Sequence, residues 1–207
     1  MTAAEDFELL GSEHRYSGWA IEVRTDEVRM PDGTVGKRDV IAHPGAVGVV
    51  AIDNDDQVVM VRQYRHPIAQ FLLELPAGLL DVAGEPALTA VQRELYEETN
   101  LTAADWWVLV DLHTSPGMTD EAIRIYVARG LTELAADQRY ESQHEEVTMT
   151  VERYSLDELV RQALSGELTN AAAVAGVLAA RAVREQGWHT LRPADAPWPA
   201  RADRAGR

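Results

Sequence analysis

A mixed-sheet α+β sandwich follows from three features of the 207-residue sequence. Short β-type apolar runs come before, between and after helical stretches, without the regular alternation of a doubly wound parallel fold. Helix signals are few and sharply bounded, at Pro86 to about Glu98, after Ser155 and after Asn170. A hydrophobic content of 46% with 26% charged residues suits one packed core rather than a disordered chain.

The elements are read in order. Residues 1–43 are expected to form a small N-terminal antiparallel β unit. Ile21, Val23 and Val28 alternate with polar neighbours, Met30-Pro31-Asp32-Gly33 is a hairpin signal, and Thr34 to Ile41 returns as partner strand. From Gly45 the pattern changes to the main domain, residues 44–192. Ala46–Ile52 is a nearly continuous apolar strand, Asp53–Asp56 a turn, Val58–Tyr64 a second strand, and Phe71–Leu75 a third that stops at Pro76-Ala77-Gly78. Pro86 sits in the first turn of the first helix. Strands follow at Trp106–Leu112, Ile123–Ala128 and Val147–Val151. Ser155 with Glu158 is a capping box for a helix closing near Gly166, and Asn170 caps an Ala-rich helix to about Gln186. Residues 193–207, rich in Pro, Ala and charge, read as a flexible tail.

Composition excludes several classes. With no cysteine, the chain has no disulfide framework, Cys-type zinc site or thiol nucleophile. A net charge of −15 with no run of Lys or Arg argues against nucleic acid and anionic membranes as partners. No apolar run reaches the ~18 residues of a membrane span. The N-terminus has no basic-then-apolar leader pattern, so the cytoplasm is the expected compartment.

Residues 78–101, GLLDVAGEPALTAVQRELYEETNL, carry the chemistry. On a helix, Leu88, Val91 and Leu95 form one core-facing stripe. Glu94, Glu97 and Glu98 then crowd one turn, at a cost of a few tenths of a kcal/mol per solvated pair and more when partly buried. A hard divalent cation relieves such crowding and suits a phosphate-bearing substrate. Arg93, four residues before Glu97, can orient that carboxylate and offset its charge. The acids follow a strand, a Pro-Ala-Gly break and a Gly-containing loop, a junction suited to diphosphate plus metal.

Gly78, Glu85, Arg93, Glu94, Leu95, Glu97, Glu98 and Leu101 match the spaced motif of the Nudix hydrolases, and the segment resembles that family. There are two departures: six residues rather than five separate Gly78 from Glu85, and Asn100 stands where the family has Gly. Asn tolerates the left-handed conformation that a helix end wants. The resemblance implies an α/β/α sandwich with a mixed sheet, and hydrolysis of a nucleoside diphosphate linked to another moiety, with Mg²⁺ or Mn²⁺. Carried over by position, Glu94 and Glu98 are the metal ligands. Glu97 is a further ligand or orients water, the Ala77 carbonyl is a backbone ligand, and Glu85 supports the site.

The likeness extends over about residues 5–187 to the ADP-ribose pyrophosphatase branch, implying ADP-ribose cleaved to AMP and ribose 5-phosphate. Pro116 lies sixteen residues past Asn100, as in that branch, and its loop would set Glu121 against the terminal ribose hydroxyls. Arg65 is the implied diphosphate clamp. The same resemblance, carried at residues 37–40, implies a homodimer in which Arg38 stacks on adenine or reaches phosphate, with Trp19 or Ile21 covering the base. The general base is expected on a later loop, with Glu146 first, Glu145 second and Glu97 third. Other substrates in view are GDP- or UDP-linked hexoses and dinucleotides; a non-catalytic ADP-ribose sensor is the reading from another class.

Overall fold

The computed structural model describes residues 6–18, 21–140 and 148–202, with side chains to residue 200. The chain divides into two compact units, Met1–Gly45 with His113–Ala122, and Ala46–Leu112 with Ile123–Arg207.

The first unit is a three-stranded antiparallel sheet, β1 (Glu8–Ser17), β2 (Glu22–Arg29) and β3 (Val35–Ala42), in that order. Gly33, at φ +84, turns β2 into β3, and Asp32 accepts hydrogen bonds from both the N–H (2.9 Å) and hydroxyl (2.6 Å) of Thr34. The buried residues of β2 are Thr25 and Asp26. Thr25 donates to Asp39 (2.7 Å) and Asp26 accepts from Ser12 (2.7 Å), so polar pairing takes the place of an apolar core between these strands. The sequence confines this unit to residues 1–43; in the structure, the loop 113–122 belongs to it as well. The reason is backbone pairing: Ile41 N–H donates to Met118 O (2.8 Å), Asp120 N–H donates to Ile41 O (3.3 Å), and His43 N–H donates to the Asp120 carboxylate (2.9 Å).

The second unit is built on an eight-stranded mixed sheet. Its strands are β4 (Ala46–Ile52), β5 (Gln57–Arg65), β6 (Gln70–Glu74), β7 (Ala77–Leu79), β8 (Leu101–His113), β9 (Ala122–Glu133), β10 (Thr150–Ser155) and β11 (Arg192–Pro193). The order is β10-β5-β4-β9-β8-β11, with β6 on β5 and β7 on β4. β4 and β9 run parallel, while β4 pairs antiparallel with β5 and β7. Helix α1 (Ala87–Thr99) covers one face, and α2 (Leu156–Ser165) with α3 (Ala171–Glu185) cover the other. The expected sandwich is therefore the observed one.

Alternation along β4 supplies both layers. Val47, Val49 and Ala51 join Val91 and Leu95 of α1, whereas Val50 and Ile52 join Leu159 of α2 and Val177 of α3. The small residues of α3 have a use here: a methyl group on Gly176 would lie 2.8 Å from Leu75 Cδ1 and 3.2 Å from Val50 Cγ2. Ser155 caps α2 by accepting from Glu158 N–H, and Asn170 caps α3 by accepting from Ala173 N–H.

Two expectations need correction. Ala77-Gly78 does not merely stop a strand: β7 pairs with β4, with Gly78 beside Val47 and Ala77 beside Gly48. Nor are residues 193–198 a flexible tail. Arg192 and Pro193 pair with Val108 and Trp107 of β8, and Ala194, Ala196 and Trp198 pack on the α1-side core. Their anchor is Arg124, 2% exposed. It donates to Asp111 (2.7 and 3.1 Å) and to the carbonyls of Ala196 (2.6 Å) and Pro197 (3.0 Å), with its guanidinium 4.8 Å from the centre of the Trp198 ring. Composition alone misses a segment held by a buried cation on another strand. Arg124→Met is expected to lower stability by about 3 kcal/mol, because it leaves Asp111 with Arg192 alone (2.7 Å) and strips the donor from two carbonyls, and urea denaturation measures the loss.

Candidate active site

Helix α1 starts at the extended Pro86 (φ −64), which supplies no side-chain cap, and ends at Asn100 in the left-handed region (φ 56). Asn100 N–H donates to Tyr96 O (2.8 Å), and its side-chain oxygen accepts from Tyr140 N–H (2.6 Å). An Asn at this position therefore keeps the glycine-like conformation and adds a tether. Ala90, Val91, Leu95 and Thr99 are buried against the sheet. That choice of buried face leaves Arg93, Glu94, Glu97 and Glu98 half-buried on the remaining surface.

Arg93 is the hub of these acids. It forms a two-point pair with Glu85 (3.2 and 3.1 Å), and its Nη1 donates to Glu94 Oε1 (2.7 Å) and Glu97 Oε2 (2.9 Å). The hydrogen bonds that Arg93 donates to Glu85 do most to raise the guanidinium pKa above its ordinary value. Glu98 is tied elsewhere: Ala77 N–H donates to its Oε2 at 3.0 Å. Strand β7 thus places its main chain against the acidic turn. Gly78 is the closest approach, since a methyl group there would sit 2.0 Å from the Glu94 carboxyl carbon. Any side chain at position 78 would displace Glu94.

Burial pushes the Glu94 carboxyl above the usual carboxylate range, against the pull of Arg93, and the neighbouring Glu97 and Asp81 add to the rise. The donors gathered here are carboxylate and backbone oxygens, the set that a hard divalent cation takes, and such an ion would relieve the cost at Glu94. Among the described residues, no three acidic or histidine side chains close on one point. Arg93 and the Ala77 N–H draw the carboxylates apart instead.

The structure brings Ala77, Glu94, Glu97 and Glu98 together. Arg65 forms a two-point ion pair with Glu74 (2.9 and 2.6 Å), and the Glu74 side chain is only 4% exposed. Its guanidinium is thus already oriented by a buried acid. Glu121 lies in the first unit, with its Oε2 accepting from the Thr114 hydroxyl at 2.5 Å. Arg38 is exposed on β3 and donates to Lys37 O (2.8 Å), with Met30 Sδ at 4.0 Å. Ile21 precedes β2, and its carbonyl accepts from Gly18 N–H (2.8 Å). Trp19, Glu145 and Glu146 lie outside the described residues.

Glu74 and His43 escaped the sequence reading. A lone acid in the apolar run Phe71-Leu-Leu-Glu-Leu75 is the signal for the first, since a buried carboxylate needs a partner. For the second, the only trace is a histidine before Pro44-Gly45 at the junction of two strands.

The NUDIX domain model matches residues 42–175, and the chain belongs to that family. It is 48% identical over 196 residues to the ADP-ribose pyrophosphatase of Mycobacterium tuberculosis, covering 95% of this chain and 93% of that one. Over 121 residues it is 43% identical to a methanol dehydrogenase activator of Bacillus methanolicus, covering 58% of this chain and 65% of that one. A crystal structure of an ADP compounds hydrolase superposes with a TM-score of 0.76 at 22% identity, over 90% of this chain and 99% of that one, and shows the same fold.

The raised Glu94 pKa gives a signed expectation. A carboxyl that holds its proton more tightly when folded favours the folded state below the ordinary value of 4.5, and that contribution is lost as pH rises through the folded pKa. Glu94→Gln keeps an acceptor for Arg93 without the buried charge. In metal-free buffer at pH 7 it is expected to be more stable than the parent by up to about 1 kcal/mol, with the difference vanishing near pH 4, as read by thermal unfolding.

Proposed function

We propose that this protein hydrolyses the pyrophosphate bond of ADP-ribose to AMP and ribose 5-phosphate with Mg²⁺ or Mn²⁺, as a homodimer in the cytoplasm. The observation that carries the chemistry is the acid cluster of α1, hinged on Arg93 and pressed on the Ala77-Gly78 main chain. The substrate reading is supported by the near-complete coverage of the Mycobacterium tuberculosis relative.

Glu94, Glu98 and the Ala77 carbonyl would hold the ion, with Glu97 as further ligand or water-orienting group. When bound, the ion supplies neutralisation of diphosphate charge and a lowered pKa for an attacking water. Arg93 keeps Glu97 aimed, and Glu85 braces Arg93. Arg65, steadied by Glu74, pairs with diphosphate oxygens. Arg38, with Trp19 or Ile21, holds the adenine or its phosphate in the dimer, and Glu121 accepts from the ribose hydroxyls. Glu146 takes the proton from water; Glu145 and then Glu97 are the next candidates.

The methanol dehydrogenase activator aligns with only 58% of this chain and favours no second reading. Faster turnover of a hexose-linked nucleotide or a dinucleotide, or binding of ADP-ribose without hydrolysis, is what each alternative predicts.

Incubation with ADP-ribose and Mg²⁺, with product separation, tests the proposal. Turnover to AMP and ribose 5-phosphate is expected, at a kcat/KM above that for UDP- or GDP-hexoses. No turnover by the parent, or full turnover by Glu98→Gln, removes it. For the base, Glu146→Gln is expected to lower kcat about 10²–10⁴-fold, with a smaller loss in Glu145→Gln. The reverse ranking moves the role to Glu145.

A further inference from the structure

We propose that His43 is a positioning residue that aims the Glu121 carboxylate at the terminal sugar diol. The proposal rests on the reading of Glu121 given above and adds to it a residue that no motif assigns.

His43 is held at both its main chain and its ring. Its N–H donates to Asp120 Oδ1 (2.9 Å), and its ring Nδ1 accepts from Gly45 N–H (3.1 Å). An imidazole nitrogen that accepts a backbone N–H carries no proton, so the proton of the neutral ring sits on Nε2. That nitrogen faces Glu121, with Oε1 at 3.8 Å. The ring is only 16% exposed and the Glu121 side chain 25%, so the pair is sheltered without being closed to a ligand.

Glu121 is constrained from its other side as well. Thr114 donates to Oε2 at 2.5 Å. The Glu121 N–H donates to the Thr119 hydroxyl (3.1 Å), which itself donates to Ile41 O (2.9 Å). With one carboxylate oxygen pinned by Thr114, the remaining freedom is rotation that swings Oε1. The Nε2–H of His43 is the group that opposes that swing. The 3.8 Å gap is longer than a hydrogen bond, and hydrogen bonds of a site that are long in the free enzyme tighten in the substrate complex. Each carboxylate oxygen keeps a second lone pair after these contacts, so both can accept from two adjacent hydroxyls.

Two substitutions separate aiming from local structure. His43→Asn keeps an acceptor near the Nδ1 position for Gly45 N–H but cannot reach Glu121. His43→Gln restores a neutral donor at the distance of Nε2. With the full-length protein, Mg²⁺ and ADP-ribose, His43→Asn is expected to raise KM about five- to tenfold with little change in kcat, and His43→Gln to recover most of the loss. The Asn variant is expected to bind ribose 5-phosphate more weakly by calorimetry but AMP as the parent does, a split that a general loss of structure would not produce. Combined with Glu121→Gln, it is expected to add no further KM penalty.

Parent-like KM in His43→Asn, equal losses in the Asn and Gln variants, or weakened AMP binding would overturn the proposal. If Glu121→Gln raises KM and His43→Asn does not, His43 alone fails. If Glu121→Gln leaves KM unchanged, the ribose reading of Glu121 fails and takes this inference with it.

Discussion

One guanidinium surrounded by carboxylates is the constraint on which the site depends. Arg93 bonds three acids, Glu85, Glu94 and Glu97, so the local sum stays negative even with every contact made. Such an arrangement is tolerable on a solvated helix and costly on one packed against a sheet. Glu94 carries the strain, being the acid whose proton affinity burial raises. The cluster is stable enough to fold around Arg93 and short of charge balance by an amount that suits a cation.

The fold serves that cluster by bringing main chain to it. β4 is the central strand: it pairs with β9 on one edge and with β5 and β7 on the other, and its odd-numbered residues seat α1. Because β7 adds only three residues to that edge, Ala77 and Gly78 reach the acidic turn with their backbone exposed to it. The ion pair between Arg65 and Glu74 applies the same logic to a second charged group, orienting a cation from beneath with a buried anion.

Much of this was legible in the sequence, because it lies in local patterns. The bounds of β4 coincide with the apolar run Ala46–Ile52, and the caps at Ser155 and Asn170 sit where their side chains pair with the helix start. The spacing of Glu94, Glu97 and Glu98 alone puts these acids on adjoining parts of one turn of α1. Contacts between distant segments were not legible. β7 looks like a break because Pro76-Ala77-Gly78 has turn composition, yet its pairing is set by β4. The 113–122 loop joins the first unit through hydrogen bonds to Ile41 and His43, some 78 residues away. Strand β1 carries no alternation that would announce it, since all ten of its residues are exposed.

The clasp of Arg124 on residues 196–198 has a practical reach. The Pro- and Ala-rich end resembles the kind of sequence that is trimmed for crystallisation or replaced by an affinity handle. Cutting after residue 191 would delete β11 and bare a tryptophan-sized area of the layer on which the acidic helix rests. An engineered version of this protein should therefore treat residues 192–198 as part of its folded core and place any fusion beyond them.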